Sequence, residues 1–171
     1  YTFIDLFAGC GGFSEGFYQE KFESVVHVDF DAPACETVKE RMRYYNYSEK
    51  AIESAVICGD LTSDDVHNQI DSVIGNRQID VLVGGPPCQT FSSVGRAQDK
   101  NSMRNDPRNY LFRSYLEILE KHKPKIFVFE NVSGLLSAKP NGNYIFPEIV
   151  ENMSEYYSLC DDRDTILLIQ V

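Results

Sequence analysis

The run Thr2-Phe3-Ile4-Asp5-Leu6-Phe7 breaks at Gly9-Cys10-Gly11-Gly12 and passes directly into helix-patterned residues through about Glu20. This strand–glycine–helix turn narrows the folds open to the chain more than any other feature. A buried strand that ends in glycines and reverses into a helix is the opening unit of a parallel α/β sheet. The following residues repeat the alternation. Ser24 to Asp29 reads as a second strand, and Asp31 and Pro33 as the N-cap and first-turn proline of a helix reaching about Arg43. Ser54 to Cys58 is a weaker third strand, closed by Gly59-Asp60, and a polar helix follows around residues 63 to 73. Ile79 to Val83 is a fourth strand, and residues 85 to 105 a long loop of the kind that carries function. Asp106-Pro107 opens a helix with Leu111, Phe112, Tyr115, Leu116 and Leu119 on one face. Ile126 to Phe129 is a fifth strand. Asn143 to Tyr157 places Ile145, Ile149 and Met153 at helical spacing, and Thr165 to Val171 reads as a sixth strand. Near-continuous apolar strands alternating with helices predict a mostly parallel sheet covered on both faces.

The 171 residues suffice for one core-bearing domain, and 43% hydrophobic with 25% charged residues indicates a soluble globular chain. No repeat, linker, signal peptide or membrane-length apolar run is recognised, so a cytoplasmic protein is expected. The five cysteines (10, 35, 58, 88, 160) form no CxxC pair, and their odd number argues for free thiols rather than a disulfide framework. No His/Cys spacing suggests zinc, and no metal is expected. The net charge of −10 argues by itself against a nucleic-acid partner. Its distribution argues the other way. Residues 85 to 113 carry Arg96, Lys100, Arg104, Arg108 and Arg113 against Asp99 and Asp106, net +3, while the remainder is net −13. An acidic body with one basic loop can hold a polyanion at that loop.

Three strand ends carry chemistry. Glycines in Asp5-Leu6-Phe7-Ala8-Gly9-Cys10-Gly11-Gly12 let the backbone approach a ligand at a helix N-terminus. Asp29, ending the second strand, suits ribose hydroxyls, and Asp60, ending the third, suits an adenine amino group. Together they describe an adenosine-containing cofactor without separating a nicotinamide dinucleotide from S-adenosylmethionine. The second constellation is GGPPCQTFS, residues 84 to 92. Two prolines stiffen the chain before Cys88, fixing where the sulfur points, and nearby basic charge favours the thiolate. The third is Glu130, directly after the fifth strand. A carboxyl desolvated there would stay protonated and act as a donor. His27 reads as a core residue, His67 and His122 as solvated, and Tyr44-Tyr45-Asn46-Tyr47 as packing at a helix end.

DLFAGCGGFS, Asp29, Gly59-Asp60, GGPPCQTFS, DPRNYLF at 106–112 and Glu130-Asn131-Val132 follow one another as in the cytosine-C5 DNA methyltransferases, and the chain resembles that family over residues 3 to 132. The resemblance implies a Rossmann-like S-adenosylmethionine-dependent methyltransferase fold. It implies that Cys88 adds to C6 of a flipped-out cytosine, that Glu130 contacts N3 and the exocyclic amine, and that Asn131 shapes the pocket. It further implies that Phe7, Ala8, Gly9, Cys10, Gly11, Gly12, Asp29, Phe30, Asp60, Leu61, Gly85, Pro87 and Leu111 hold S-adenosylmethionine. Gln89, Ser92 and Arg96 fall in what resembles the loop that closes over double-stranded DNA, and Arg108 matches an arginine near the phosphates or the base.

Pro86 stands where the family often has Phe, and Asp29 where it often has Glu. No QxRxR stretch and no variable target-recognition region is found, and residues 158 to 171 match no family motif. The resemblance therefore places the chain at the front of a catalytic domain, with little turnover expected from it alone. The expectation is a monomeric bacterial restriction-modification enzyme. An RNA cytosine-C5 methyltransferase and a catalytically silent binding module are the alternatives, and a nicotinamide dehydrogenase a distant one.

Overall fold

The computed structural model describes residues 1–87, 110–130, 133–139, 142–155, 157–162 and 165–169, with 133–134, 158–162 and 165–169 as backbone alone. Seven strands form one sheet in the order β3-β2-β1-β4-β5-β7-β6. They are β1 (Thr2–Leu6), β2 (Glu23–Asp29), β3 (Val56–Cys58), β4 (Val81–Gly84), β5 (Ile126–Glu130), β6 (Ser158–Asp162) and β7 (Thr165–Ile169). Neighbours from β3 to β5 pair in parallel. β7 joins β5 antiparallel, and β6 joins β7 antiparallel. The helices are α1 (Gly12–Gln19), α2 (Ala32–Tyr44), α3 (Glu49–Ala55), α4 (Asp64–Ile74), α5 (Leu111–His122) and α6 (Ile145–Ser154). A 3-10 turn spans Ser133–Ser137.

The period-two alternation of the strands sorts the core into two layers. Ile4, Leu6 and Leu82 pack with Ile70, Tyr115, Phe127, Phe129, Ile149 and Met153 beneath α4, α5 and α6. Phe3, Val81 and Val83 pack with Tyr18, Val38, Met42 and Ile52 beneath α1, α2 and α3. Burying each such side chain contributes roughly 1.5–3 kcal/mol. Tyr115 ties two strands together by donating its hydroxyl to the carbonyls of Leu82 at 3.3 Å and Val128 at 3.1 Å.

Asp31 is the N-cap of α2, accepting from the Ala34 N–H at 3.2 Å, with proline in the first turn as the sequence predicts. Two expectations are corrected. Ser54 and Ala55 belong to α3, a helix capped by Ser48 accepting from the Ala51 N–H, and β3 begins only at Val56. The apolar run Ala55 to Cys58 resembles a strand throughout, but its first residue faces the core from a helix end. The C-terminal strand is preceded by another, so the sheet's far edge is a β6–β7 hairpin lying antiparallel to the rest.

Asp106-Pro107, where the sequence predicts this helix to open, lie outside the described residues, and α5 itself begins at Leu111 with Tyr110 as its N-cap. Among the described residues no helix is long and apolar enough to cross a membrane.

Candidate active site

The order of the strands decides where a ligand can sit. The chain winds outward from β1 in one direction to β2 and β3, then returns to build β4 and β5 on β1's other side. Loops leaving the C-terminal ends of β1 and β4 therefore diverge and leave a crevice between them. In register, Leu6 faces Gly84, so the glycine turn and the Gly85-Pro86-Pro87 stretch leave adjacent strands at the same height.

A cleft of about 430 Å³ opens at this edge, lined by Phe7, Val28, Asp29, Phe30, Gly59, Asp60, Leu61, Thr62, Pro87 and Leu111. Seven of these are residues the sequence predicts for the cofactor; Val28, Gly59 and Thr62 are additions. Val28 and Gly59 are visible in the sequence only as neighbours of the two acids, and Thr62 only as the hydroxyl after Gly59-Asp60-Leu61. Phe30 is 74% exposed where it lines this cleft.

A second cleft adjoins the first and shares Phe7 with it. It is lined by Phe7, Ala8, Gly12, Phe13, Gly85 and Glu130. Phe13 is a residue the motif reading missed, although an aromatic in the first turn after the glycines was a usable signal. Gly9, Cys10 and Gly11 build the turn without lining either cleft.

The turn is shaped by backbone that few residues adopt. Phe7 has φ +58°, Gly9 +52° and Gly11 +82°. Glycine accepts such values freely, whereas Phe7 sustains them at a cost of about 1–2 kcal/mol, the kind of strain found at ligand sites. Asp29 holds the turn in place. Its Oδ2 accepts the Gly9 N–H at 2.7 Å and its Oδ1 accepts the Asp31 N–H at 2.9 Å. Asp60 is similarly anchored, its Oδ1 accepting from the N–H and hydroxyl of Thr62 at 2.9 and 2.8 Å. Each carboxylate is thus oriented before a ligand arrives, with acceptor capacity to spare.

Gly85 and Glu130 fit each other closely. A β-carbon at position 85 would run into the Glu130 carboxylate. Glu130 itself is exposed, so the desolvation expected for it is not supplied by the described residues. Cys88, Asn131, Gln89, Ser92, Arg96 and Arg108 lie outside the described residues, and their roles remain sequence expectations.

Behind the turn runs a buried polar network that motif reading did not reveal. Asp5 and His27, in register on β1 and β2, occupy otherwise apolar positions beneath α1. Ser14 donates to Asp5 Oδ2 at 2.5 Å and lies 3.1 Å from His27 Nδ1. His27 Nε2 meets the hydroxyls of Tyr18 at 2.8 Å and Ser24 at 2.5 Å. Donor and acceptor roles at the two imidazole nitrogens follow the tautomer, and among the described residues Asp5 Oδ1 is buried without a hydrogen-bond partner. Burial pushes the Asp5 carboxyl up to about 7, against the pull of the Ser14 hydrogen bonds. Burial pushes His27 down to about 3. His27 is therefore a core residue, as expected. His67 and His122 are not solvated as predicted: their side chains are 19% and 12% exposed, packed near Glu117 and Asp71 respectively. Tyr45 and Tyr47 pack at the end of α2, bonded to Glu15 and to the Ser24 N–H, while Tyr44 stays exposed.

Residues 1–159 match the family model for C-5 cytosine-specific DNA methylases. The chain belongs to this family. Type II methyltransferase M.Bpa9945I of Bacillus paralicheniformis is 33% identical over 200 residues, covering 89% of this chain and 44% of the relative. Type II methyltransferase M.XorII of Xanthomonas oryzae pv. oryzae is 42% identical over 137 residues, covering 80% of this chain and 29% of the relative. The chain thus spans less than half the length of these Type II methyltransferase relatives. Among solved structures, Spodoptera frugiperda DNMT2 superposes with a TM-score of 0.63 at 17% identity, covering 99% of this chain and 50% of that one. At that identity the likeness speaks for the Rossmann-like fold of the family alone.

Proposed function

We propose that the protein transfers a methyl group from S-adenosylmethionine to C5 of a cytosine flipped out of double-stranded DNA, as the modification enzyme of a bacterial restriction-modification system. It would act in the cytoplasm as a monomer. The observation that carries this reading is the pair of joined clefts. One is bounded by the two anchored acids, Asp29 and Asp60, and the exposed Phe30; the other ends at Glu130; Phe7 belongs to both.

The first cleft fits the proposed cofactor. Asp29 suits vicinal ribose hydroxyls, Asp60 and Leu61 the adenine edge, and Phe30 and Leu111 the faces of a flat base. Ala8 and Gly12 leave room for the methionine end, which would lead toward the Glu130 cleft. When bound, S-adenosylmethionine supplies an electrophilic methyl group. Everything else falls to side chains. Cytosine C5 is a poor nucleophile, and addition of the Cys88 thiolate to C6 converts it to an enamine-like carbon. Glu130 holds the proton at N3 that makes this addition favourable. After methylation a base takes the C5 proton, the C6–S bond breaks to expel the Cys88 thiolate, and the N3 proton returns to Glu130. The basic residues between 85 and 113 supply the attraction to a phosphate backbone that the net charge of −10 would otherwise oppose.

A transfer assay with methyl-labelled S-adenosylmethionine and the protein as the cell makes it tests the reading. We expect label on C5 of cytosine in duplex DNA and none on transfer RNA. Label on RNA alone, or on neither, would overturn it.

A further inference from the structure

The edge of the cofactor cleft carries two thiols that the proposed reaction does not use. Cys35 lies in the first turns of α2 and is buried; Cys58 ends β3 and is exposed. Both converge on the backbone of Asp29. Cys58 is the register partner of Asp29 on the neighbouring strand. The Asp29 carbonyl accepts the Gly59 N–H at 2.9 Å and the Cys35 thiol at 3.4 Å. One oxygen thus gathers the N–H of the residue after Cys58 and the sulfur of Cys35. Asp29, Gly59 and Asp60, the residues around this point, all line the cleft.

We propose that Cys35 and Cys58 form a reversible redox couple whose disulfide loosens the cofactor site. The oxidant is a hydroperoxide. The exposed Cys58 sulfur attacks its outer oxygen, becoming a sulfenic acid as an alcohol, or water, leaves. Cys35 then attacks the Cys58 sulfur; the S–S bond forms, the S–O bond breaks, and hydroxide departs with the Cys35 proton as water. Two thiols and one hydroperoxide give one disulfide, one alcohol and one water. A dithiol reductant reverses the change by exchange. Burial first, and the Cys58 thiol second, push Cys35 up to about 12, so Cys35 does not compete for the oxidant and the exposed thiol reacts first.

Closure brings the two sulfurs to an S–S bond of about 2.05 Å. That draws the start of α2 toward the end of β3 across the Asp29 peptide and removes the Cys35 donor from its carbonyl. The two acids that grip the ligand are displaced relative to one another. The chemistry of the ligand rests on the function proposed above; formation of the bond does not.

Two readings of the same sample separate these claims. The reduced protein is titrated with S-adenosylhomocysteine by calorimetry, then treated with hydrogen peroxide, digested under non-reducing conditions, mapped by mass spectrometry and titrated again. We expect a Cys35–Cys58 linked peptide and about tenfold weaker binding, both reversed by dithiothreitol and both absent in Cys58→Ser. No binding by the reduced protein would defeat the cofactor reading. A reduced protein that binds, yet gives no linked peptide, keeps its affinity once linked, or loses it equally in Cys58→Ser, would defeat the redox couple.

Discussion

Gly85 shows how narrow the tolerance of this site is. A methyl group there would meet the Glu130 carboxylate, the one proposed proton-holding group that the structure places. Displacing such a group by about 1 Å can cost on the order of a hundredfold in rate. Gly85→Ala should therefore lower kcat by roughly ten- to a hundredfold while leaving affinity for S-adenosylhomocysteine nearly intact; steady-state kinetics beside calorimetry would show the split. Asp29 should show the opposite pattern. Its carboxylate orients the glycine turn through Gly9 as well as serving as a ligand group. Asp29→Ala should weaken cofactor affinity by about tenfold or more. It should also cost about 2 kcal/mol of stability in urea unfolding, because two backbone donors lose a charged acceptor. At this scale the sequence revealed much. Asp29 and Asp60 were legible because strand ends in an α/β sheet face the ligand edge, and Phe30 and Leu111 through the family resemblance. Glu130 was expected near the end of the fourth strand if the fourth and fifth neighbour, as they do; Phe13 was signalled only by its place in the first turn after the glycines.

Elements carry the next layer of consequence. β1, β2 and α1 share the Asp5–Ser14–His27 network, and its protons make a sharp prediction. In the fold, Asp5 is a neutral acid up to about pH 7 and His27 a neutral base down to about pH 3. Together they hold one proton across that range. The unfolded chain, with a carboxyl titrating at 3.8 and an imidazole at 6.5, also holds one proton between those values, now as carboxylate and imidazolium. Stability should therefore gain no slope from this pair between pH 4.5 and 6. Asp5→Asn removes one side of the exchange. Only His27 then titrates, the unfolded state binds the extra proton, and stability should fall with falling pH by about 1.4 kcal/mol per pH unit in that window, relative to the parent. Urea unfolding at several pH values measures the difference, and parallel profiles would refute the network's protonation. Tyr115→Phe is expected to cost about 1–2 kcal/mol by leaving the Leu82 and Val128 carbonyls without their hydroxyl donor. None of this was legible in the sequence. An Asp and a His in two apolar strands read as isolated exceptions until strand register brings them together.

For the whole molecule, the parallel half of the sheet was legible from alternation alone, since each of β1 to β5 is an apolar run closed by glycine or an acid. The antiparallel β6–β7 edge was not. Residues 158 to 162 include Cys160 between Leu159 and the acids Asp161 and Asp162, and their place is set by pairing with β7 rather than by local pattern. The crevice is likewise a property of the whole: it exists because β4 returns to the far side of β1, and no single motif encodes that return. It is also what makes the central claim specific, because Pro87, the residue before Cys88 in the sequence, lines one cleft and Glu130 lines the adjoining one. The most direct test is covalent capture. The protein as the cell makes it is incubated with S-adenosylmethionine and duplex DNA carrying 5-fluorocytosine, whose C5 cannot release a proton. The account predicts a denaturation-resistant protein–DNA adduct with the linkage at Cys88, absent from Cys88→Ala. Absence of the adduct in the unaltered protein, or its persistence in Cys88→Ala, would contradict it.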